Sequence, residues 1–387
     1  MSYITNRKKN PNYHVALIIE TSNEYARGLI RGIKEYLNEN RPWSIYLGEH
    51  SRDHTDLGWL ENWKGDGIIA RIETKEIASI ISDIDLPTVD VSADRFLPKL
   101  PCVETDNQAI ANMAADHLIS KGFNHFGFCG EMQFPWAKQR CQFFIKYLKD
   151  KGFHCHTFES SREKSWSKDR EDMALWLESL PKPIGIMASY DILGQKLLEA
   201  CQLTNITVPY QVGVIGVDND ELLCNLSAPS LSSIVPDTLN TGYKAAEILD
   251  RWMAGEKVKP ELHLFPPIKL LTRVSTDVVN VEDELVSQAV QIIRNHAYDD
   301  IKVEDILKDV LVSRSVLDNR FKKALGRTPH QEIIETKMNL MKQLLSDTDL
   351  PLSLIAERIG FKHSEYMNVL FKRKTGLTPG QYRKFSL

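Results

Sequence analysis

The sequence predicts a two-lobed α/β body built on parallel sheets, followed by an all-α domain of two helix-turn-helix units. Three observations lead there. From about Tyr13 to Thr276, short β-rich runs alternate with helical ones, the pattern of parallel strands covered by helices. That alternation lasts roughly 260 residues, more than one doubly wound sheet uses, so it divides into two lobes. The last stretch then carries one helical pattern twice, at offsets of 49 and 50 residues.

At the start, residues 1–12 form a polar, basic arm without the apolar core of a signal peptide, and no run of about 18 apolar residues follows. The expectation is a cytoplasmic protein with no membrane contact. The six cysteines, Cys102, Cys129, Cys141, Cys155, Cys201 and Cys224, include no C-x-x-C pair and stay out of the last third. That scatter argues against a zinc site or a disulfide framework and for buried thiols. No metal or cofactor is expected.

The body's strands read as HVALII, WSIYLG, GIIA, PTVDVS, HFGFCG, PIGIMAS and VGVIGVD, each bounded by Gly, Pro, Asn or Asp. Between them YARGLIRGIKEYLNE, NQAIANMAADHLISKG and DILGQKLLEACQL repeat apolar residues at helical spacing. The expected division is a body over 13–277 and a tail over 278–387. Within the body, a first lobe takes about 13–106 and 238–277, and a second about 107–237. The chain then crosses between lobes near Asn107, Pro236 and Thr276.

In an open parallel sheet, ligands bind beyond the carboxyl ends of the strands. Polar residues crowd those positions: Glu20, Thr21, Ser22, Asn23, Tyr25 and Arg27, then Arg71, Asp94 and Asp106, then Trp136, Arg140, Asp191, Asp218, Asn219 and Asp220. The candidate ligand contacts are Asn23, Tyr25, Arg27, Arg71, Asp106, Trp136, Arg140, Asp191, Asp218 and Asn219. Planar polar groups beside aromatic rings suit a sugar, whose hydroxyls take paired hydrogen bonds and whose C–H face packs on a ring. Asp218 directly follows the apolar run VGVIGV, where no core role accounts for a carboxylate. Asp191 and Asp106 also stand where helix N-caps would, Trp136 would serve as a lobe-surface aromatic, and Arg140 would serve in a surface ion pair.

In the tail, Val303, Ile306, Leu307 and Val310 line one face of a short helix, Ser313 stands as an N-cap, and Val316, Leu317 and Phe321 line the next helix. Leu352, Ile355, Ala356 and Ile359, then Gly360, then Met367, Leu370 and Phe371 repeat the pattern. Phe321, Lys322, Gly326, Thr328 and Pro329 return as Phe371, Lys372, Gly376, Thr378 and Pro379. Ahead of the turn the offset is 49, so the second turn has one residue more. Helix-turn-helix units place their second helix in the DNA major groove. Arg314, Ser315, Asp318 and Asn319 in the first, and His363, Ser364, Glu365, Asn368 and Val369 in the second, are expected to face base edges. Lys322, Lys323, Lys372, Arg373, Lys374, Arg383 and Lys384 are expected at phosphates. From Leu311 onward 14 Lys plus Arg meet 7 Asp plus Glu, leaving +7 on the tail and −11 on the rest, a basic module on an acidic body. The spacer TPHQEIIETKMNLMKQLLSD reads as a helix about 27 Å long, able to set the two recognition helices in successive grooves.

I-A-x-x-x-G-F, F-K and G-x-T-P stand here at the spacing of the AraC family, and the last 100 or so residues resemble that family's DNA-binding module. Where the family usually has Gly in the first turn this chain has Leu311, which a positive φ would strain by roughly 1 kcal/mol or more. The segments TDN at 105, WAKQR at 136, SYD at 189 and VIGVDND at 214 resemble the ligand-binding domain of LacI/GalR regulators and periplasmic sugar-binding proteins. That resemblance implies a periplasmic-binding-protein-like body in which Arg140 and Asp218 clamp sugar hydroxyls with Asp106 and Asp191 assisting. It also leaves the chain without a LacI-type headpiece, since the first strand begins almost at once.

The combination is similar to regulators of pentose operons, with echoes at 25 (Y-x-R), 136 (W-A-x-x-R), 215 (IG-x-DN-x-E), 273 (RxSTD), 293 (IRNHA) and 313 (SRS-x-L-x-x-RFK). It implies a D-xylose-sensing activator that is a homodimer, binds a double-stranded operator and recruits RNA polymerase. Another pentose, a hexose or a nucleoside stays open as the ligand. A transport receptor would share the body but has no use for a basic helical repeat. An enzyme reading lacks G-x-x-x-x-G-K-[ST], G-x-S-x-G and G-x-G-x-x-G, and a repair methyltransferase would need a cysteine that the tail lacks.

Overall fold

The computed structural model describes residues 12–48, 57–161, 165–278, 283–361 and 363–386; the expected arm over 1–12 lies almost wholly outside the described residues. The chain divides into two units, Met1–Val278 and Val279–Leu387.

The first unit holds two sheets. The chain runs through β1 (Tyr13–Ile18), α1 (Glu24–Glu39), β2 (Trp43–Leu47), β3 (Gly67–Ala70), α2 (Lys75–Ser82), β4 (Thr88–Asp90) and β5 (Cys102–Thr105). It then crosses to α3 (Asn107–Ser120), β6 (His125–Gly130), α4 (Pro135–Asp150), β7 (Cys155–Glu159), α5 (Trp166–Ser179), β8 (Ile184–Ala188), α6 (Asp191–Leu203), β9 (Val212–Val217), α7 (Glu221–Leu226) and β10 (Ser232–Val235). α8 (Thr238–Met253) and β11 (Leu262–Phe265) return to the first sheet, and β12 (Lys269–Leu271) joins the second.

The sheet orders are β11-β5-β4-β3-β1-β2 and β12-β10-β9-β8-β6-β7. Both follow one doubly wound pattern, in which the second and first strands stand beside the third, fourth, fifth and last. In each lobe the winding direction therefore reverses between the first strand and the third, the place where such sheets open a binding crevice. Central strands such as VGVIGV in β9 are buried along their whole length, as strands covered on both faces must be.

Two expectations about lobe boundaries change. The third crossing falls at 266–268, not near Thr276, because β12 pairs with β10 through Ser233–Leu271, Ile234–Leu270 and Val235–Lys269. Residues 269–277, expected in the first lobe, thus belong to the second. That pairing is antiparallel, so the second sheet is not wholly parallel. The chain also passes between the sheets at 106 and at 236–237. All six cysteines are free and five are fully buried, Cys155 being half-buried. No helix among the described residues is long and apolar enough to cross a membrane.

Helix α1, whose N-terminus carries cleft residues, is seated by contact of bare backbone. A Cβ on Gly32 would lie 2.0 Å from the Leu239 carbonyl of α8, and one on Gly242 would lie 2.0 Å from the Leu29 carbonyl of α1. Only glycine allows the two helices to approach so closely.

The second unit is helical: α9 (Glu284–Asn295), α10 (Val303–Val310), α11 (Arg314–Leu325), α12 (Pro329–Asp347), α13 (Leu352–Arg358), α14 (Ser364–Thr375) and α15 (Pro379–Ser386). Ser313 caps α11 by accepting from the Val316 amide, and Thr328 caps α12 with Gln331 reaching back to the Thr328 amide. With 19 residues, α12 is about 28 Å long. Met338, Met341, Leu345, Ile355, Ala356, Ile359, Met367, Leu370 and Phe371 form one core of this unit. Leu311 adopts φ 53° and ψ 40°, so the first turn is left-handed like the second, where Gly360 has φ 67°. Val316, expected inward, is instead exposed, since Leu317 and Phe321 alone fill that face.

Replacing Gly32 by Ala should force α1 and α8 apart and lower the stability of the body by about 1–3 kcal/mol, read as a lower urea midpoint.

Candidate ligand cleft and nucleic-acid interface

Between the lobes lies a cleft of about 340 Å³, counted to its mouth, lined by Tyr25, Arg71, Val91, Ser92, Ala93, Glu104, Thr105, Trp136, Arg140 and Asp218. Each lobe presents a buried arginine over an aromatic face. The guanidinium carbon of Arg71 lies 5.0 Å from the Tyr25 ring centroid and that of Arg140 lies 5.1 Å from the Trp136 ring centroid. Both pairs stand at the reversal points of their sheets, Tyr25 and Arg71 after β1 and β3, Trp136 and Arg140 after β6.

The two arginines differ in their partners. Arg71 is held by the carboxylates of Glu20 and Glu73, whose attraction outweighs burial and raises its pKa. Arg140 donates to Asn107 Oδ1 at 2.9 Å and to the Ser189 carbonyl at 2.6 Å, both neutral. Burial therefore lowers its pKa, with Asp218, Tyr25 and Glu104 opposing. Glu104, held by the Asn107 amide at 2.7 Å, is pushed up to about 8 by burial, so at neutral pH it carries its proton and can donate. Tyr25, 3.3 Å from Thr105 Oγ1, is raised to about 12 by burial and the nearby Glu104 and stays a neutral phenol. The lining thus offers hydrogen-bond donors and acceptors together around desolvated cations.

Of the ten expected contacts, Tyr25, Arg71, Trp136, Arg140 and Asp218 line this cleft. The other five build its walls. Asn23 caps α1 by accepting from the Ala26 amide at 2.9 Å and donates to Glu20. Asp106 caps α3 through the Ala109 amide at 3.0 Å. Asp191 is buried beneath the turn after β9, accepting from Ser233 Oγ at 2.6 Å and from the Asp220 amide at 2.7 Å. It does not cap α6, whose N-cap is Tyr190. Asn219 accepts from Arg273 at 2.8 Å, and Arg27 spans the lobes to Asp220 at 3.3 Å. Gln139 likewise crosses, donating to the Ala93 carbonyl at 3.0 Å, so the lobes are closed on one another. Asp218 has φ 102° and Asn219 φ 48°, a left-handed turn that Asp191 fastens from below.

Sequence reasoning passed over Glu104 and Ser92 as cleft residues and Asn107 as the residue that holds Glu104 and Arg140 together. PCVETDN is too short and polar to read as a strand, so the position of Glu104 inside β5 was hidden.

In the tail, the expected base-reading residues fall on α11, α14 and the N-cap of α14. Ser315, Asn319, His363, Glu365 and Val369 are exposed, as are the phosphate candidates Lys322, Lys372 and Arg373. Arg314 is paired with Glu304 at 2.6 Å. Ser364, Asp318 and Asn368 are half-buried, the last two occupying equivalent flanks of the two helices. Arg383, expected at phosphate, donates to the Leu350 carbonyl at 2.6 Å.

Family models match along most of the chain: an XylR N-terminal domain over residues 14–108, a periplasmic binding protein-like domain over 115–276 and a helix-turn-helix domain over 306–384. The xylose operon regulatory protein of Haemophilus influenzae is 33% identical over 381 residues, covering 96% of this chain and 98% of that protein. The chain belongs to the family of xylose operon regulatory proteins. The member from Escherichia coli K12 is 32% identical over 381 residues, 96% of this chain and 97% of its own. A solved structure titled as a xylose-binding transcription activator, xylR, superposes with a TM-score of 0.84 at 32% identity over 97% of this chain and 98% of that one. A LacI-type protein from Alkaliphilus metalliredigens in complex with D-xylulofuranose matches at TM-score 0.57 and 24% identity, covering 68% of this chain and 99% of that one, a likeness of fold alone.

Within this xylR-type body, Glu104 links cleft chemistry to pH. Its pKa is near 4.5 ordinarily and about 8 here, so between those values the folded chain holds one proton more than the unfolded, and stability falls as pH rises across that window. Glu104→Gln, a copy of the protonated acid, should flatten the decline between pH 5 and 8 by up to about 1.4 kcal/mol per pH unit in urea titrations.

Proposed function

We propose that this chain is a D-xylose-responsive activator of transcription, acting in the cytoplasm as a homodimer on a double-stranded operator and recruiting RNA polymerase. One observation carries the reading. A closed inter-lobe cleft with two buried arginines, the Asp218 carboxylate and the protonated Glu104 stands in one chain with a basic tandem helix-turn-helix tail. The likeness to xylose operon regulatory proteins and to a xylose-binding transcription activator supports it.

The cleft suits a small neutral polyol. Arg140 has spent part of its donor capacity on Asn107 and Ser189 and keeps the rest for ligand hydroxyls, while Asp218 accepts. A neutral sugar replaces the lost water of both groups without adding a charge that the cleft would have to bury. Arg27 with Asp220 and Gln139 with Ala93 join the lobes only when they are closed. A sugar held by residues of both lobes favours that state, and it shifts the equilibrium by its difference in affinity for closed and open forms. The tail then meets DNA with Ser315, Asn319, His363 and Glu365 toward base edges and Lys322, Lys372 and Arg373 toward phosphate.

A melting series against pentoses, hexoses and nucleosides tests the ligand. D-xylose at 100 times its dissociation constant should add about 2.7 kcal/mol, and a rise with a different sugar alone would replace the specificity. Asp218→Asn, which keeps the left-handed turn accessible, should abolish that rise and leave basal DNA affinity within twofold. The double substitution Lys372→Ala with Arg373→Ala should weaken binding to every duplex and reduce the slope of log affinity against log salt by about two; an unchanged slope would remove both from the interface.

A further inference from the structure

The two turns of the tail share a left-handed residue but not its identity, and the difference points to a junction between the repeats. Leu311 tolerates φ 53° because nothing covers it: the side chain is 84% exposed. Gly360 takes φ 67° under a roof. A Cβ there would meet the Asp299 carbonyl oxygen at 2.6 Å and the Asp300 amide nitrogen at 2.9 Å. Backbone angle alone therefore does not explain the glycine at 360; close approach by the turn that precedes α10 does.

One side chain closes this contact. Lys337, in the middle of α12, is 4% exposed, and its ammonium donates to the Asp299 carbonyl at 2.9 Å and to the Gly360 carbonyl at 3.3 Å, with the Phe361 ring centroid 5.4 Å away. Asp299 belongs to the turn leading into the first helix-turn-helix, Gly360 lies in the turn of the second, and Lys337 stands on the helix that joins them. A buried ammonium is costly unless carbonyl oxygens replace its water. Here the two carbonyls come from the two halves, so the charge is satisfied only in one arrangement of the repeats. Burial holds the pKa of Lys337 below its ordinary 10.5, with Asp299 and Asp300 opposing.

We infer that Lys337 is a positioning residue for bipartite DNA reading: it bolts the two helix-turn-helix units at the separation at which α11 and α14 enter their grooves together. The inference rests on the DNA-binding reading of the tail. When the second helix is prepositioned, its binding becomes intramolecular and multiplies the first; when the joint is loose, that gain shrinks and the spacing of the two half-sites ceases to matter.

The test uses the full chain with D-xylose and a duplex that the wild type selects from a randomised pool. That duplex is also made with one half scrambled and with one base pair inserted between the grooves read by one protomer. Lys337→Met should lower affinity for the intact duplex at least tenfold, keep affinity for the half-scrambled duplex within twofold, and bind the inserted duplex as well as the intact one. Gly360→Ala, which pushes on the same contact from the other side, should do likewise and decides the matter if Lys337→Met does not fold. Leu311→Ala, outside the junction, should behave as wild type. Equal losses on intact and half-scrambled duplexes, or an insertion penalty as large as in the wild type, would overturn the inference. If the wild type selects no duplex, the DNA-binding reading itself fails.

Discussion

Burying a guanidinium is the constraint on which the body is organised. Arginine does not shed its charge, so each one taken out of water must be answered by acceptors held in place by the fold. Arg71 is answered by two carboxylates from its own lobe, those of Glu20 and Glu73. Arg140 is answered by an amide oxygen and a backbone carbonyl, which satisfy its geometry more than its charge. The remaining demand faces into the cleft, toward Asp218 of its own lobe and the protonated Glu104 of the other, and a polyhydroxylated neutral molecule meets it with both donors and acceptors. Most of the second tier of polar residues follows from this: Asn107 orients Arg140 and Glu104 together, and Asp191 fastens the turn that aims Asp218.

The same economy of placement appears at the level of topology. Both sheets reverse their winding at the same step, and each lobe delivers an aromatic ring and an arginine beside that step, Tyr25 after β1 with Arg71 after β3 in one and Trp136 with Arg140 after β6 in the other, so the facing lobes bring the pairs together. The lobes are neither independent nor fused. Three crossings at 106, 236–237 and 266–268 join them, and the ion pair of Arg27 with Asp220 and the hydrogen bond from Gln139 are side-chain contacts that can be made and broken. A machine that must respond to a small ligand needs contacts of that modest strength.

Much of this was legible in the residues. Alternating apolar strands and amphipathic helices gave the two-lobed body, and an internal repeat gave the tandem tail, because both rest on periodicities that burial enforces. Polar residues just past strand ends located the cleft. Hydrogen-bond partners were not legible. Asn23, Asp106 and Asp191 have the same chemistry as ligand contacts and differ only in which amide or hydroxyl lies within 3 Å. Short polar strands also escaped: β5 and β12 are four and three residues long, and β12 pairs by backbone more than by pattern, so the last crossing was misplaced by about ten residues. In the tail, Val316 stands next to Leu317 yet faces out, since five residues before Phe321 puts it about 140° round the helix from that ring, while Leu317, four residues before, shares its face.

The threading of the chain also bears on how the protein is made. Neither lobe is a continuous segment: the first sheet waits for β11 and the second for β12. A growing chain that has emerged only through β10 has every cleft arginine and carboxylate but lacks one edge strand of each sheet. Ligand can therefore meet a complete pocket only after about residue 271 has left the ribosome, when the helical tail is next in line. The tail, by contrast, is one continuous stretch of chain and forms a compact unit of its own. Sensing and reading thus mature in a fixed order during synthesis.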